Sequence, residues 1–123
     1  MEISEAFRPG FIDLLKNDGR ILVAKTKIVP QAIDAEQYPK AEDIRKALGD
    51  YDVMEVDVLG KALGLGDSTG RIANVIMIGA LSRIAPFDIF PEDLWLQALK
   101  NVNPHPAIWS ANYAAFNTGR EIV

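Results

Sequence analysis

The sequence has 123 residues, of which 49% are hydrophobic, and its formal net charge is -4 at pH 7. A chain of this length and composition can fill one hydrophobic core, while an acidic chain with scattered basic residues suits neither nucleic acid nor an anionic membrane as a partner. The sequence contains no cysteine, which excludes disulfides, thiolate zinc sites, iron-sulfur ligation and a cysteine nucleophile among these residues.

The first part of the chain reads as helix, turn and strand. Residues 2–17 carry a helical pattern, but Pro9-Gly10 in the middle predicts two pieces that meet near Arg8. Asn17-Asp18-Gly19 predicts a turn, since glycine adopts the positive φ that such turns require. The continuous apolar run Ile21–Ala24 then predicts a strand buried on both faces of a parallel sheet.

A second strand follows after a helix. Ile28-Val29 either extends the first strand or forms a short one, and residues 31–40 are predicted to be a loop. Ala41–Leu48 has the spacing of a short helix, and Tyr51–Val56 has the composition of a strand. A strand, a helical crossover and a strand form a βαβ unit, whose strands are parallel and whose connection is right-handed.

The second half of the chain is predicted to be helical. Its helices cover Val58–Leu65 after a capping Asp57, a central segment Ile72–Leu81 capped by Asp67, Ser68 or Thr69, a segment that opens at Pro91, and Ala107–Glu121. The overall prediction is an α/β fold, a partial three-layer (α/β/α) Rossmann-like domain with a right-handed βαβ unit and a helix-rich C-terminal half. Because a two-stranded parallel sheet leaves both edges open, we expect the sheet to be completed by a larger domain or by an oligomer.

The central segment dominates the predicted core. Every residue from Ile72 to Leu81 except Asn74 is apolar or glycine, which predicts a helix buried around most of its circumference. Gly79 and Ala80 predict a place where another backbone approaches closely. A buried Asn74 either satisfies the backbone groups of a neighbouring segment or reaches a ligand, and we favour the structural role.

The candidate ligand-binding residues surround the start of this helix. Gly66, Ser68, Thr69 and Gly70 resemble a phosphate-binding loop, in which backbone N-H groups and the helix dipole meet an anion, and Asn74 lies close by. However, the glycine spacing does not fit a dinucleotide motif, and the Gly-Lys-Ser/Thr ending of a P-loop is absent. A glycine-rich turn between two helices, with one capping residue, is the preferred interpretation.

Other polar residues carry weaker signals. His105 is the single histidine and stands between two prolines, so we interpret it as a loop residue. Glu55 and Asp57 flank the end of a strand, where open α/β sheets bind ligands, but Asp57 also fits the role of a helix N-cap. We predict no catalytic residue and no metal ligand, because no nucleophile and base can be paired and no ligand set is recognisable.

The order of several segments resembles a known protein family. The segments are Glu55–Leu63, Gly66-Asp67 with Arg71, Ala73–Ser82, and upstream Phe11–Leu15 with Gly19–Val23. They resemble the C-terminal half of the gamma-type subunit or domain of 2-oxoacid:ferredoxin oxidoreductases. Leu94–Leu99 and Asn112–Arg120 are most similar to the beta subunit of the indolepyruvate-type members.

The resemblance implies a non-catalytic partner in a complex that converts a 2-oxoacid to acyl-CoA by oxidative decarboxylation. Such a complex uses thiamine diphosphate and coenzyme A, and it passes electrons through iron-sulfur clusters to ferredoxin. These cofactors are held mainly by other subunits, so we expect this chain to bind none of them and to form an oligomer with the thiamine-binding and iron-sulfur subunits. Residues 1–123 then form the C-terminal part of one gamma-type domain, similar to domain III of pyruvate:ferredoxin oxidoreductase, without its glycine-rich first segment.

Two other functions stay open at this point. The chain could be a stand-alone α/β module that binds a phosphate-containing ligand at Gly66–Gly70, or it could be an oligomerisation domain. The sequence shows no charged n-region followed by an apolar h-region, and no apolar stretch of the length that crosses a bilayer. We therefore expect a cytoplasmic protein without a membrane partner.

Overall fold

A computed structural model describes Gly10, residues 12–26, Glu36 and residues 40–123. The chain divides into two compact units, Met1–Asp57 and Val58–Val123. The elements are β1 (Arg20–Ala24), α1 (Ala41–Ala47), β2 (Asp52–Val56), α2 (Val58–Gly64), α3 (Ala73–Leu81), α4 (Glu92–Val102) and α5 (Pro106–Ile122), with 3-10 turns at Ile12–Leu14 and Phe87–Ile89. In the described ranges, no helix is both long and apolar enough to cross a membrane.

The two strands of the first unit form a parallel pair. Their register aligns Arg20 with Asp52 and Ala24 with Val56, and α1 lies between the strands in sequence. The predicted parallel pair and the helix-rich second half are therefore confirmed. The three-layer Rossmann-like arrangement and the single-domain extent of residues 1–123 stay predictions. The predicted helical piece before Arg8 and the strand extension at Ile28-Val29 lie outside the described residues, whereas the second helical piece is described from Ile12 and forms a 3-10 turn at Ile12–Leu14.

The core of the first unit lies between β1 and α1. Ile21 and Val23 of β1 are buried together with Ile44 and Leu48, and three partly buried side chains pack against this group, those of Leu15, Tyr51 and Val53. Burial along β1 alternates: Ile21 and Val23 are buried, whereas Leu22 between them is only partly buried. The prediction of a strand buried on both faces is thus wrong for the described residues, since alternate side chains of a strand point to opposite faces.

The second unit is built around the crossing of α3 and α5. The helices meet where Gly79 faces Gly119: a Cβ atom added to Gly79 would lie 3.0 Å from the Gly119 Cα atom and would overlap the Phe116 carbonyl oxygen. Ile76, Ala80 and Phe116 are fully buried beside this contact. The predicted close backbone approach at Gly79 and Ala80 is confirmed, and its partner is Gly119.

One face of α3 remains accessible. Ala73, Ile76, Gly79 and Ala80 are the buried residues of the helix, and they recur with the three-to-four-residue spacing of a single helical face. Asn74 is exposed. The prediction of a buried Asn74 is therefore wrong, because an apolar composition all around a helix does not show which faces its neighbours cover.

The helix bounds agree with the predicted ones to within two residues. Val58 and Ala62 of α2 are buried, whereas Leu59 and Leu63 are 47% and 64% exposed. The N-cap of α3 is Ile72, without a side-chain cap, so none of the three predicted caps directly precedes the helix. Helix α4 begins at Glu92 after Pro91, with two acidic residues in its first turn, as predicted.

Candidate functional site

The loop between α2 and α3 contains four of the five predicted ligand-binding residues. Gly66 and Gly70 have φ angles of 86° and 73°, in the left-handed region where a residue with a side chain is strained. Between them, the Asp67 carboxylate folds over the loop backbone and accepts hydrogen bonds from residues on its C-terminal side. The loop therefore forms a compact turn around a carboxylate of the chain itself.

The Asp67 carboxylate accepts hydrogen bonds with both of its oxygen atoms. Oδ1 accepts from the Thr69 amide at 3.0 Å and from the Thr69 hydroxyl at 2.6 Å. Oδ2 accepts from the Ile72 amide at 2.9 Å, one of the N-H groups at the start of α3 that lack a partner within the helix. Asp67 thus performs the capping that the sequence predicted for it, but from five residues before the N-cap position.

These hydrogen bonds stabilise the charged form of the carboxylate. The Thr69 hydroxyl, followed by the Ile72 amide, lowers the pKa of Asp67 to about 2, because a carboxylate that accepts several hydrogen bonds favours its ionised state. At neutral pH a negative charge therefore already occupies the position that a bound phosphate would take. A phosphate at this loop would have to compete with Asp67 for the same N-H donors.

The five predicted residues lie along one segment, but they do not form a closed site. Ser68 and Thr69 are exposed, and Asn74 lies exposed in the first turn of α3, two residues after Ile72. Asn74 is therefore near the loop in sequence and accessible to a ligand. Ligand binding at Gly66, Ser68, Thr69, Gly70 and Asn74 stays a prediction.

Sequence reasoning missed that Asp67 fills the loop. The signal was present, since an Asp followed two residues later by a Thr is typical of a turn in which the aspartate side chain binds the backbone ahead of it. What the sequence did not supply was the path of the chain, which brings the Ile72 amide to the second carboxylate oxygen.

The remaining candidates have local structural partners. The exposed His105 is the N-cap of α5, and its Nδ1 atom accepts a hydrogen bond from the Ala107 amide at 3.2 Å. The Glu55 carboxylate is paired with the Arg45 guanidinium through two hydrogen bonds of 3.1 and 3.0 Å. Across the residues that the structure describes, no group of three or more His, Cys, Asp or Glu side chains is placed to hold a metal ion.

Comparison with known protein families gives evidence that is independent of the loop geometry. The profile of the pyruvate ferredoxin/flavodoxin oxidoreductase family matches residues 1–122. The chain belongs to this family. A search of curated proteins and a search of solved structures each returned no match. The family supports the sequence-based resemblance to 2-oxoacid:ferredoxin oxidoreductases, whose members work as multi-domain or multi-subunit complexes.

Proposed function

We propose that the chain is a non-catalytic assembly segment of a 2-oxoacid:ferredoxin oxidoreductase of the indolepyruvate type. In this proposal, residues 1–123 form the C-terminal part of a gamma-type domain with a three-layer Rossmann-like fold. Thiamine diphosphate and the iron-sulfur clusters are bound by partner subunits, where a 2-oxoacid is converted to acyl-CoA. The family match over residues 1–122 is the observation that carries the proposal.

The composition and the order of motifs support this role. The sequence has no cysteine, so thiolate ligands for the clusters of such a complex must come from outside these residues. The similarity of Leu94–Leu99 and Asn112–Arg120 to the beta subunit of indolepyruvate-type enzymes supports the choice of substrate class. The family match does not distinguish between 2-oxoacid substrates, so the proposed indolepyruvate type rests on these two segments.

Exposed apolar side chains in the second unit support a role in assembly. Leu63 of α2 is 64% exposed, Leu94 of α4 is 51% exposed and Ile89 before α4 is 75% exposed. Single exposed apolar residues are ordinary, whereas apolar patches mark surfaces that a partner covers, so these side chains are the first ones to test as partner contacts. In the described residues, the parallel sheet also consists of β1 and β2 alone, and parallel sheets are normally covered and paired on both sides.

Co-purification from the native host tests the proposal. An affinity-tagged chain should recover cysteine-rich, thiamine-binding subunits, and deletion of its gene should abolish ferredoxin reduction driven by indolepyruvate. Pyruvate and 2-oxoglutarate serve as comparison substrates for the indolepyruvate type. If no thiamine-binding protein is recovered and 2-oxoacid oxidation is unchanged in the deletion strain, the assembly role is wrong.

Calorimetry distinguishes the assembly role from the alternative of a phosphate-binding module. Coenzyme A and nucleotides should give no heat at millimolar concentration, because the Asp67 carboxylate uses the Thr69 and Ile72 donors. Saturable binding that is lost on alteration of Ser68 would instead support a ligand site at the loop. The second alternative, self-association alone, predicts a defined oligomer in the purified chain and no co-purifying subunits.

A further inference from the structure

A polar cleft in the second unit lies where the ends of three helices meet. Its volume is about 450 Å³, and its walls include Ser82 after α3, Glu92 at the start of α4 and Arg120 near the end of α5. Ligand sites in proteins typically occupy about 300–1,000 Å³, so the cleft has room for a small molecule or for a side chain of another protein. None of the residues predicted from the sequence to bind a ligand lines it.

Arg120 is held rigidly in the wall of this cleft. Its Nη1 atom donates to the Ser82 hydroxyl at 3.1 Å, and its Nη2 atom lies 3.3 Å from the Glu92 carboxylate. The guanidinium carbon lies 5.7 Å from the centre of the Phe116 ring, and the side chain is only 19% exposed. A guanidinium fixed in this way loses little conformational entropy when a ligand binds.

Arg83 adds a second guanidinium to the same cleft. Its side chain is exposed and lines the cleft, and no ion pair involves it in the part of the chain that the structure describes. An arginine carries five N-H donors in a planar arrangement that matches a carboxylate. Arg83 is therefore a cationic group that has no ion-pair partner among the described residues and lines the same cleft as the preorganised Arg120.

The cleft contains two acidic residues, Asp88 and Glu92, beside its two arginines. Glu92 is paired with Arg120, whereas Asp88 is exposed and has no ion pair with a described residue. Arg120 also retains N-H donors beyond the two that reach Ser82 and Glu92, since its guanidinium has five. The four charges of the cleft cancel formally, so the feature that suits it to a ligand is its set of unused planar N-H donors rather than an excess of positive charge.

We propose that this cleft binds a carboxylate, which Arg83 and Arg120 contact together. The carboxylate belongs either to a small organic acid or to an acidic side chain of a partner protein, and both sources present the same group to the two arginines. Phe90, which also lines the cleft, provides apolar contact for the carbon atoms that carry the carboxylate. The proposal does not rest on the oxidoreductase assignment, because every residue that it uses lies within residues 82–120.

Nuclear magnetic resonance titration of the full chain tests the proposal. Acetate and a short glutamate-rich peptide are the two probes, and sodium chloride at equal ionic strength is the reference. Saturable shifts confined to the amides of Ser82, Arg83, Phe90, Glu92 and Arg120 are expected. Saturation by acetate identifies a small acid as the source, and saturation by the peptide alone identifies a protein side chain.

Substitution of Arg83 supplies the decisive comparison. Because Arg83 is exposed and unpaired among the described residues, R83Q should fold normally and should weaken binding at least about tenfold, as expected for the loss of a charge-assisted contact. The matched control is R71Q, which removes an exposed arginine that does not line the cleft and should leave binding unchanged. No saturable shift with either probe, or equal weakening in both variants, would overturn the proposal.

Discussion

At the scale of single residues, Asp67 organises the loop between α2 and α3. It accepts three hydrogen bonds from Thr69 and Ile72, and it holds the turn between α2 and α3 closed. An asparagine at this position keeps the oxygen atom that accepts from Thr69, but it places an NH2 group where Oδ2 stood. That NH2 group and the Ile72 N-H are both donors, so they cannot form a hydrogen bond with each other. The closed turn therefore depends on the charge of Asp67 and on its second acceptor oxygen.

We predict that Asp67→Asn lowers the midpoint of urea unfolding at pH 7. The pKa of Asp67 is lowered to about 2, so its stabilising contribution is complete above the pKa of about 3.9 typical of an unfolded aspartate and is lost as the pH falls through 2. The difference between the wild type and the variant should therefore shrink toward pH 2. Asp50→Asn, at an exposed turn position, is the control and should change little.

His105 is a residue whose role became visible only in the folded chain. Its Nδ1 atom accepts a hydrogen bond from the Ala107 amide and caps α5, although histidine is not among the common N-cap residues. We predict that His105→Ala costs about 0.5–1 kcal/mol of unfolding free energy and that His105→Asn retains most of the stability, since asparagine is a good N-cap. Chemical denaturation at pH 8 measures both. Equal losses in the two variants would contradict the capping role.

At the scale of elements, the crossing of α3 and α5 organises the second unit. Gly119 allows the two backbones to approach, because a Cβ atom added there would lie 2.8 Å from the Ala80 amide nitrogen and 2.9 Å from the Gly79 Cα atom. These neighbours are backbone atoms, which cannot move aside as a flexible side chain can. The crossing therefore depends on glycine at both positions.

We predict that Gly119→Ala destabilises the chain by about 1–3 kcal/mol or more, as overpacking typically does. The matched control is Gly64→Ala at the end of α2, where an added Cβ meets nothing within 4 Å. That variant should be neutral or slightly stabilising, since alanine is favoured over glycine in a helix by up to about 1 kcal/mol. Thermal unfolding of both variants provides the comparison. Similar melting temperatures of the two variants would show that α3 and α5 accommodate an added methyl group at their crossing without loss of stability.

At the scale of the whole molecule, the exposed apolar residues connect the structure to the proposed assembly. Ile89 is 75% exposed and lies in the 3-10 turn before α4. We predict that Ile89→Asp leaves the melting temperature within about 2 °C of the wild type, as expected for a surface substitution of less than about 0.5 kcal/mol. The same change should reduce recovery of partner subunits several-fold, because a charge then lies in an apolar contact.

The partner experiment needs a comparison at another exposed position. Asn74→Asp introduces the same negative charge on α3, where the side chain is exposed and polar, and it should leave partner recovery unchanged. Loss of partners in both variants would indicate a general charge effect rather than a contact at Ile89. Full recovery with Ile89→Asp would remove this side chain from the proposed interface.

The amino-acid sequence by itself determined the type and position of the elements. The bounds of β1, α1, β2 and all four later helices agree with local periodicity, and the start of α4 agrees with Pro91 and the two acidic residues after it. These signals act within one or two turns, so they can be read without knowing the fold. The parallel arrangement of β1 and β2 also followed, because a helical crossover leaves few other choices.

Only the tertiary structure decided which faces these elements bury. Asn74 is exposed because α5 covers the opposite side of α3, and Ser82 meets Arg120 across 38 positions of sequence. The same crossing brings together the walls of the carboxylate cleft, which the sequence did not indicate. Such features depend on contacts between distant residues, and no local periodicity encodes the distance and angle at which two helices pack.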